Sequence, residues 1–180
     1  MTYRNVVSAV VRALASEVIN SAGGCSFEPR VQAERISGEI SGKEASILFD
    51  FMVHARLHSQ LSAEHWDALN AKYSTCLKRK HDSMMAMARR VKSPASARFI
   101  ECATATWAFP KVQGADGKRS TCVLPPSWYE ISRWDDEGRP EPTLYRWRSA
   151  IRRALDDRVN EALVCAQEIL DSEGLLSEAA

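Results

Sequence analysis

Four arginines, Arg146, Arg148, Arg152 and Arg153, stand between Thr143 and Arg153 with no acidic residue among them. A guanidinium is a rigid fork of donors that matches a phosphate, or the exposed edge of a guanine, with two parallel hydrogen bonds. At about 100° per residue, Leu144, Trp147, Ile151 and Leu155 fall on one narrow stripe. Tyr145, Arg146, Ser149, Arg152 and Arg153 fall on the opposite side, with Arg148 at the border. A helix with one face to bury and one basic face to present can enter the major groove of DNA. Thr143 is placed to cap it. Thr143, Tyr145, Arg146, Arg148, Ser149, Arg152 and Arg153 are therefore the candidate DNA-binding residues.

The residues ahead of this helix suggest how it would be positioned. Ser127 can cap a short helix carrying Trp128, Ile131 and Trp134 on one side, and a turn with Gly138, Pro140 and Pro142 follows. Helix, turn and basic helix together predict a C-terminal helix-turn-helix, with a turn longer than the usual three or four residues. The apolar stripe continues in phase through Val159, Ala162, Ala166 and Ile169. The last helix therefore either runs unbroken to about Leu170 or restarts at Asp156-Asp157.

A second basic region lies upstream. Residues 72–119 carry eleven basic side chains against three acidic ones. Lys78, Arg79, Lys80, Arg89, Arg90, Lys92, Lys111, Lys118 and Arg119 are candidates for holding phosphates or an acidic partner surface. The formal net charge of the whole chain is only +1, because acidic stretches at 1–71, 120–142 and 154–180 offset the two basic ones. Near-neutrality here is an average over alternating blocks, and it excludes no nucleic-acid partner.

Other chemistries find weaker support. His54 and His58 lie one helical turn apart, with His65, Cys76 and His81 downstream, but the cysteines at 25, 76, 102, 122 and 165 form no closely spaced pair. A structural zinc site normally needs such pairs, so no metal or other cofactor is expected. Asp135-Asp136-Glu137 could hold a divalent cation for phosphodiester cleavage, which makes a metal-dependent nuclease the alternative. Three consecutive acids in a Gly/Pro turn cannot all face one point, however, and no phosphate-binding loop, dinucleotide fingerprint, zinc-protease motif or nucleophile elbow occurs. The expectation is a protein that is not an enzyme, with a protein-binding module lacking DNA affinity as a further alternative.

The supporting elements read as mainly α: a helical bundle with a small β-hairpin insertion and the C-terminal helix-turn-helix. Helical periodicity marks about 3–20, 43–58, a helix opened by Ser62, 76–91 and a helix begun at Ser93-Pro94. A short helix is possible within 31–36. Lys111–Gln113 and Ser120–Leu124 flank a Gly-Ala-Asp-Gly loop, a hairpin signal with Lys118 and Arg119 at its tip. The expected division is an N-terminal helical region (1–60), a basic middle with the hairpin (61–126), the helix-turn-helix region (127–172) and a tail (173–180). No apolar run reaches the roughly 20 residues of a membrane span, and no export signal opens the chain. A cytoplasmic protein with reduced cysteines is expected.

The run Trp128-Tyr129-Glu130-Ile131-Ser132-Arg133-Trp134-Asp135, followed by Thr143-Leu144-Tyr145-Arg146-Trp147-Arg148, resembles the C-terminal portion of small phage-type transcription regulators. The order of helical region, basic middle and helix-turn-helix is similar to that of the Q-type antiterminators of phage late genes, over roughly 60–180. That resemblance implies a regulator that binds a double-stranded element near a promoter. It then loads onto RNA polymerase, paused with its sigma factor, and carries it past terminators. The Arg146–Arg153 helix would read the element, and the 72–119 block or the hairpin would dock on polymerase. Some members carry a zinc motif built on cysteine pairs; this chain lacks it, and no metal is implied.

Overall fold

The computed structural model describes residues 2–21, 42–113, 120–121 and 123–176. Six helices account for most of them: α1 (Val6–Ser21), α2 (Gly42–Gln60), α3 (Ala63–Tyr73), α4 (Leu77–Arg90), α5 (Ala97–Ala108) and α6 (Glu141–Ser172). The fold is mainly α, as the helical periodicity predicts. No helix among the described residues is long and apolar enough to cross a membrane. The possible helix within 31–36 lies outside the described residues.

The chain divides into two compact units, Met1–Leu61 with Cys165–Ala180, and Ser62–Val164. The stretches 61–126 and 127–172, expected as separate regions, thus contribute to one unit up to Val164. Residues from Cys165 onward belong to the other unit.

In the first unit, α1 packs on α2 and buries Ala9, Val10, Ala13 and Leu14, with Val53 and Leu57 buried on α2. Tyr3 stacks on Phe49 with ring centroids 5.3 Å apart and donates from Oη to Asp50 Oδ1 at 2.6 Å. Arg12 reaches Asp50 Oδ2 through Nε and Nη2, the latter at 3.0 Å. Residues 173–176, expected as part of a tail, are instead tied in. Gly174 takes φ +65, a left-handed conformation that suits glycine at a helix end. Leu175 O then accepts from the Tyr3 backbone N–H at 2.9 Å.

In the second unit, α3 packs on α4 and α4 on α5. Ser62 caps α3, its side chain accepting from His65 N–H at 3.2 Å. α5 starts later than its Ser93-Pro94 signal. Ser93 Oγ accepts from Ala95 N–H, closing a local turn, and Ser96 is the cap, accepting from Phe99 N–H. Beyond α5, Val112 pairs with Thr121 and Gln113 with Ser120, forming two-residue strands β1 (Val112–Gln113) and β2 (Ser120–Thr121). Of the expected hairpin only these rungs are described. The loop between them, with Lys118 and Arg119, lies outside the described residues.

The short helix expected after Ser127 is two 3-10 turns, Pro126–Tyr129 and Ile131–Arg133, broken at an extended Glu130. Trp128, Ile131 and Trp134 are spaced by three, the period of a 3-10 turn, in which side chains at i and i+3 eclipse. Pro125 and Pro126 also lack the N–H groups an α-helix would use. Thr143 does not cap the last helix. α6 begins at Glu141, and Thr143 lies in its first turn, donating from N–H to Pro140 O at 2.9 Å. α6 then runs unbroken to Ser172, which resolves the choice between one helix and two.

Candidate nucleic-acid interface

The first half of α6 is fixed by its apolar stripe. Leu144, Ile151, Leu155 and Val159 are buried. Trp147, half-buried, meets the Phe99 ring edge-on at 5.7 Å, and Trp134 meets the same ring at 5.3 Å. Phe99 on α5 is thus the common contact of the segment before α6 and of α6 itself. Edge-to-face ring pairs are favoured because a ring's positive rim meets its partner's negative face. The Arg139 guanidinium lies 4.6 Å from the Trp147 ring centroid and screens its outer side.

With that stripe buried, Tyr145, Arg146, Ser149 and Arg153 are exposed, and Thr143, Arg148 and Arg152 are half-buried. Among the described residues none of Arg146, Arg148, Arg152 and Arg153 is in an ion pair, unlike most other arginines of the unit. Arg90 bonds Asp67 at 2.7 Å, Arg98 bonds Asp136 at 2.8 Å, and Arg133 bonds Glu130 at 2.5 Å. Arg139 pairs with Glu137, and Arg158 with Glu64 and Glu161. Exposed ion pairs contribute little stability. They do occupy the cations that form them. The Arg148 guanidinium lies 4.9 Å from the Tyr145 ring centroid. Burial, reinforced by the neighbouring Arg148, pushes the Arg152 guanidinium below its ordinary pKa, with Asp156 opposing.

The second group of predicted contact residues separates into three sets. Lys80 is spent internally: Nζ donates to Lys72 O at 2.8 Å and lies 5.5 Å from the Phe109 ring centroid. Burial lowers its pKa, so it does not belong with the surface cations. Arg90 is held by Asp67, and Arg79 is half-buried. Lys78, Arg89, Lys92 and Lys111 are exposed. Of these, Lys111 shares a cleft with Arg148 and Arg152. No sequence signal links Lys111 to those arginines, because the juxtaposition depends on how the chain after α5 returns to α6.

The acidic turn is distributed. Asp135 Oδ2 accepts from the Arg139 backbone N–H at 2.8 Å, Asp136 pairs with Arg98, and Glu137 with Arg139. Asp135 and Glu137 are thus engaged by the backbone and the side chain of Arg139, while Asp136 turns to Arg98, so the three carboxylates do not gather around a common point. His54 and His58 rings stack with centroids 6.3 Å apart. Among the described residues no three His, Cys, Asp or Glu side chains come together as a metal site. Cys76, Cys102 and Cys165 are free thiols, and burial raises the pKa of Cys102.

One residue that the sequence offers only as a place where the last helix could restart organises the junction. Asp156 Oδ1 accepts from Trp107 Nε1 at 2.8 Å and from Lys72 Nζ at 3.2 Å, so one carboxylate joins α3, α5 and α6. An acid one turn after the last arginine offers no pattern that would single it out. No family model, no curated protein and no solved structure matches the chain.

Proposed function

We propose that the protein is a DNA-binding transcription regulator, an antitermination factor of the Q-like type that binds a promoter-proximal element and loads onto RNA polymerase and its sigma factor. The observation that carries the DNA-binding part is the unpaired arginine face of α6, in a unit where most other arginines have found a carboxylate. On this reading α6 is the reading helix of a helix-turn-helix whose first helix is replaced by 3-10 turns. Arg146, Ser149, Arg153 and Tyr145 meet base edges or phosphates, and Arg148, Arg152 and Thr143 flank them. The exposed Lys78, Arg89 and Lys92, together with Lys118 and Arg119, supply the polymerase surface. The antitermination part rests on the resemblance of Trp128–Asp135 and Thr143–Arg148 to the Q-type proteins, and places the protein in the cytoplasm without catalytic activity.

Fluorescence anisotropy with a labelled duplex, titrated between 50 and 200 mM salt, tests the first part. Each phosphate contact adds about 0.9 to the slope of log K against log salt. The double variant Arg146→Gln/Arg153→Gln is expected to lower that slope by roughly 2 if both residues hold phosphates. Binding that is independent of salt, or unchanged in the double variant, refutes the assignment. Capture of RNA polymerase from a bacterial lysate, with and without promoter DNA, tests the second part. Failure to retain polymerase in either condition refutes it.

A further inference from the structure

Beside the exposed face of α6 lies a cleft of about 320 Å³ whose lining includes Thr106, Lys111, Tyr129, Trp134, Arg148 and Arg152, with no acidic residue among the described ones. That volume falls at the small end of the roughly 300–1,000 Å³ typical of ligand sites. Arg148 and Arg152 are one helical turn apart and so share a side of α6. Lys111 faces them from beyond α5, its Nζ 4.9 Å from the Tyr129 ring centroid.

The wall donors are already used. Tyr129 Oη donates to Phe109 O at 2.8 Å, Trp134 Nε1 to Trp128 O at 2.9 Å, and Thr106 Oγ1 to Cys102 O at 2.9 Å. Among the described residues none of the three cations is in an ion pair. The Arg152 Nε is buried and has no hydrogen-bond partner. Among the described residues the carboxylate acting on Arg152 is that of Asp156, and its Oδ1 is occupied by Trp107 and Lys72.

We propose that this cleft binds a phosphate group, held by the guanidinium forks of Arg148 and Arg152 and by the ammonium of Lys111. Two forks and a point charge suit a tetrahedral anion with several acceptor oxygens better than a single carboxylate. The phosphate comes either from a nucleic-acid backbone or from a small phosphorylated molecule. The site does not depend on the DNA reading of α6; where that reading holds, one backbone phosphate seated here fixes the register of the helix on the duplex.

The test uses the full chain, with calorimetric titration of inorganic phosphate and of pyrophosphate at low ionic strength, and the duplex anisotropy assay in parallel. Lys111→Gln and Arg152→Gln are expected to weaken pyrophosphate binding at least ten-fold. Arg152→Lys, which keeps the charge and loses the fork, is expected to fall between them and the wild type. Arg158→Gln is expected to leave it unchanged. A DNA salt slope lowered by about one in Lys111→Gln assigns the phosphate to the backbone. An unchanged slope, with pyrophosphate binding lost, assigns it to a free ligand. If Lys111→Gln, an exposed position that leaves the core intact, alters neither pyrophosphate nor DNA binding, the proposal is overturned. DNA binding that still falls in Arg146→Gln/Arg153→Gln would then leave the α6 reading standing by itself.

Discussion

Trp134 seats the 3-10 segment on Phe99 of α5, the ring that Trp147 of α6 also meets, and removing it gives the most demanding test of the fold. Its side chain is 1% exposed, the largest of the fully buried ones. The ring meets Phe99 edge-on at 5.3 Å, with an interplanar angle of 75°. Its Nε1 donates to Trp128 O at 2.9 Å. Truncating a buried tryptophan to alanine costs about 3–5 kcal/mol, since the lost transfer energy is compounded by a cavity that closes only in part. Trp134→Ala is therefore expected to cost about 4 kcal/mol, a large share of the roughly 5–15 kcal/mol that holds a domain together.

Trp134→Phe separates the contributions. It keeps a ring against Phe99 but loses the indole donor, leaving Trp128 O without its partner, and is expected to cost about 1–2 kcal/mol. Urea unfolding followed by far-ultraviolet circular dichroism measures both values. In thermal melts a chain of this size shifts by about 2–4 °C per kcal/mol, so the alanine variant should melt roughly 8–16 °C lower. A cost under about 1 kcal/mol for alanine, or equal costs for alanine and phenylalanine, would refute the claim that Trp134 anchors this segment through both ring and hydrogen bond.

Tyr3 predicts an alkaline instability. Burial, together with the hydrogen bond to Asp50, raises its pKa above the ordinary 10.0, so the folded state holds the phenolic proton more tightly than the unfolded chain. The stability this contributes is complete below pH 10 and is lost as pH rises beyond it. Melting temperatures across that range should fall more steeply in the wild type than in Tyr3→Phe, and parallel curves would contradict the prediction. Asp156→Ala leaves the Trp107 indole, on a side chain 5% exposed, without its acceptor, at an expected cost of about 1–3 kcal/mol. Asp156→Asn keeps an acceptor oxygen and loses only the partly exposed pair with Lys72, worth about 0–1 kcal/mol. Urea midpoints that rank the two variants equally would show that the indole bond carries no weight.

Much of the helical framework was legible in the sequence, because burial imposes a period. The stripe Leu144, Ile151, Leu155, Val159 follows from spacing alone, and Ser62 announces its cap. A period can also be ambiguous. Trp128, Ile131 and Trp134 repeat every three residues, a spacing that suggests a helix and that a 3-10 turn satisfies better. Ser93-Pro94 carries the chemistry of a helix start, yet Ser93 spends its hydroxyl on Ala95, and Ser96 does the capping. Contacts between distant residues left no periodic trace. Asp50 meets Tyr3 and Arg12 across 47 and 38 positions, and Lys111 reaches the neighbourhood of Arg148 and Arg152 only through the return of the chain after α5. Such meetings are decided by packing, and a pattern read along one segment has no access to them.

The charge count shows the same boundary in a form that bears on function. By number the 72–119 block carries more basic side chains, eleven against the four of 143–153, although the shorter segment is the denser and holds no acid. Partners widen that difference. Within that block Lys72 and Arg90 are paired with acids, Arg98 reaches Asp136, and Lys80 is turned onto a carbonyl and a ring. The shorter 143–153 segment keeps all four of its arginines out of ion pairs among the described residues. A cation already bound to a carboxylate must give up that contact before it takes a phosphate, so its contribution to binding is reduced by what it loses. A cation held by the scaffold without an anion loses nothing and relieves the repulsion of its neighbours. The density of unpaired cations, rather than net charge, therefore ranks the surfaces, and it places the first half of α6, with Lys111 beside it, ahead of the longer basic block.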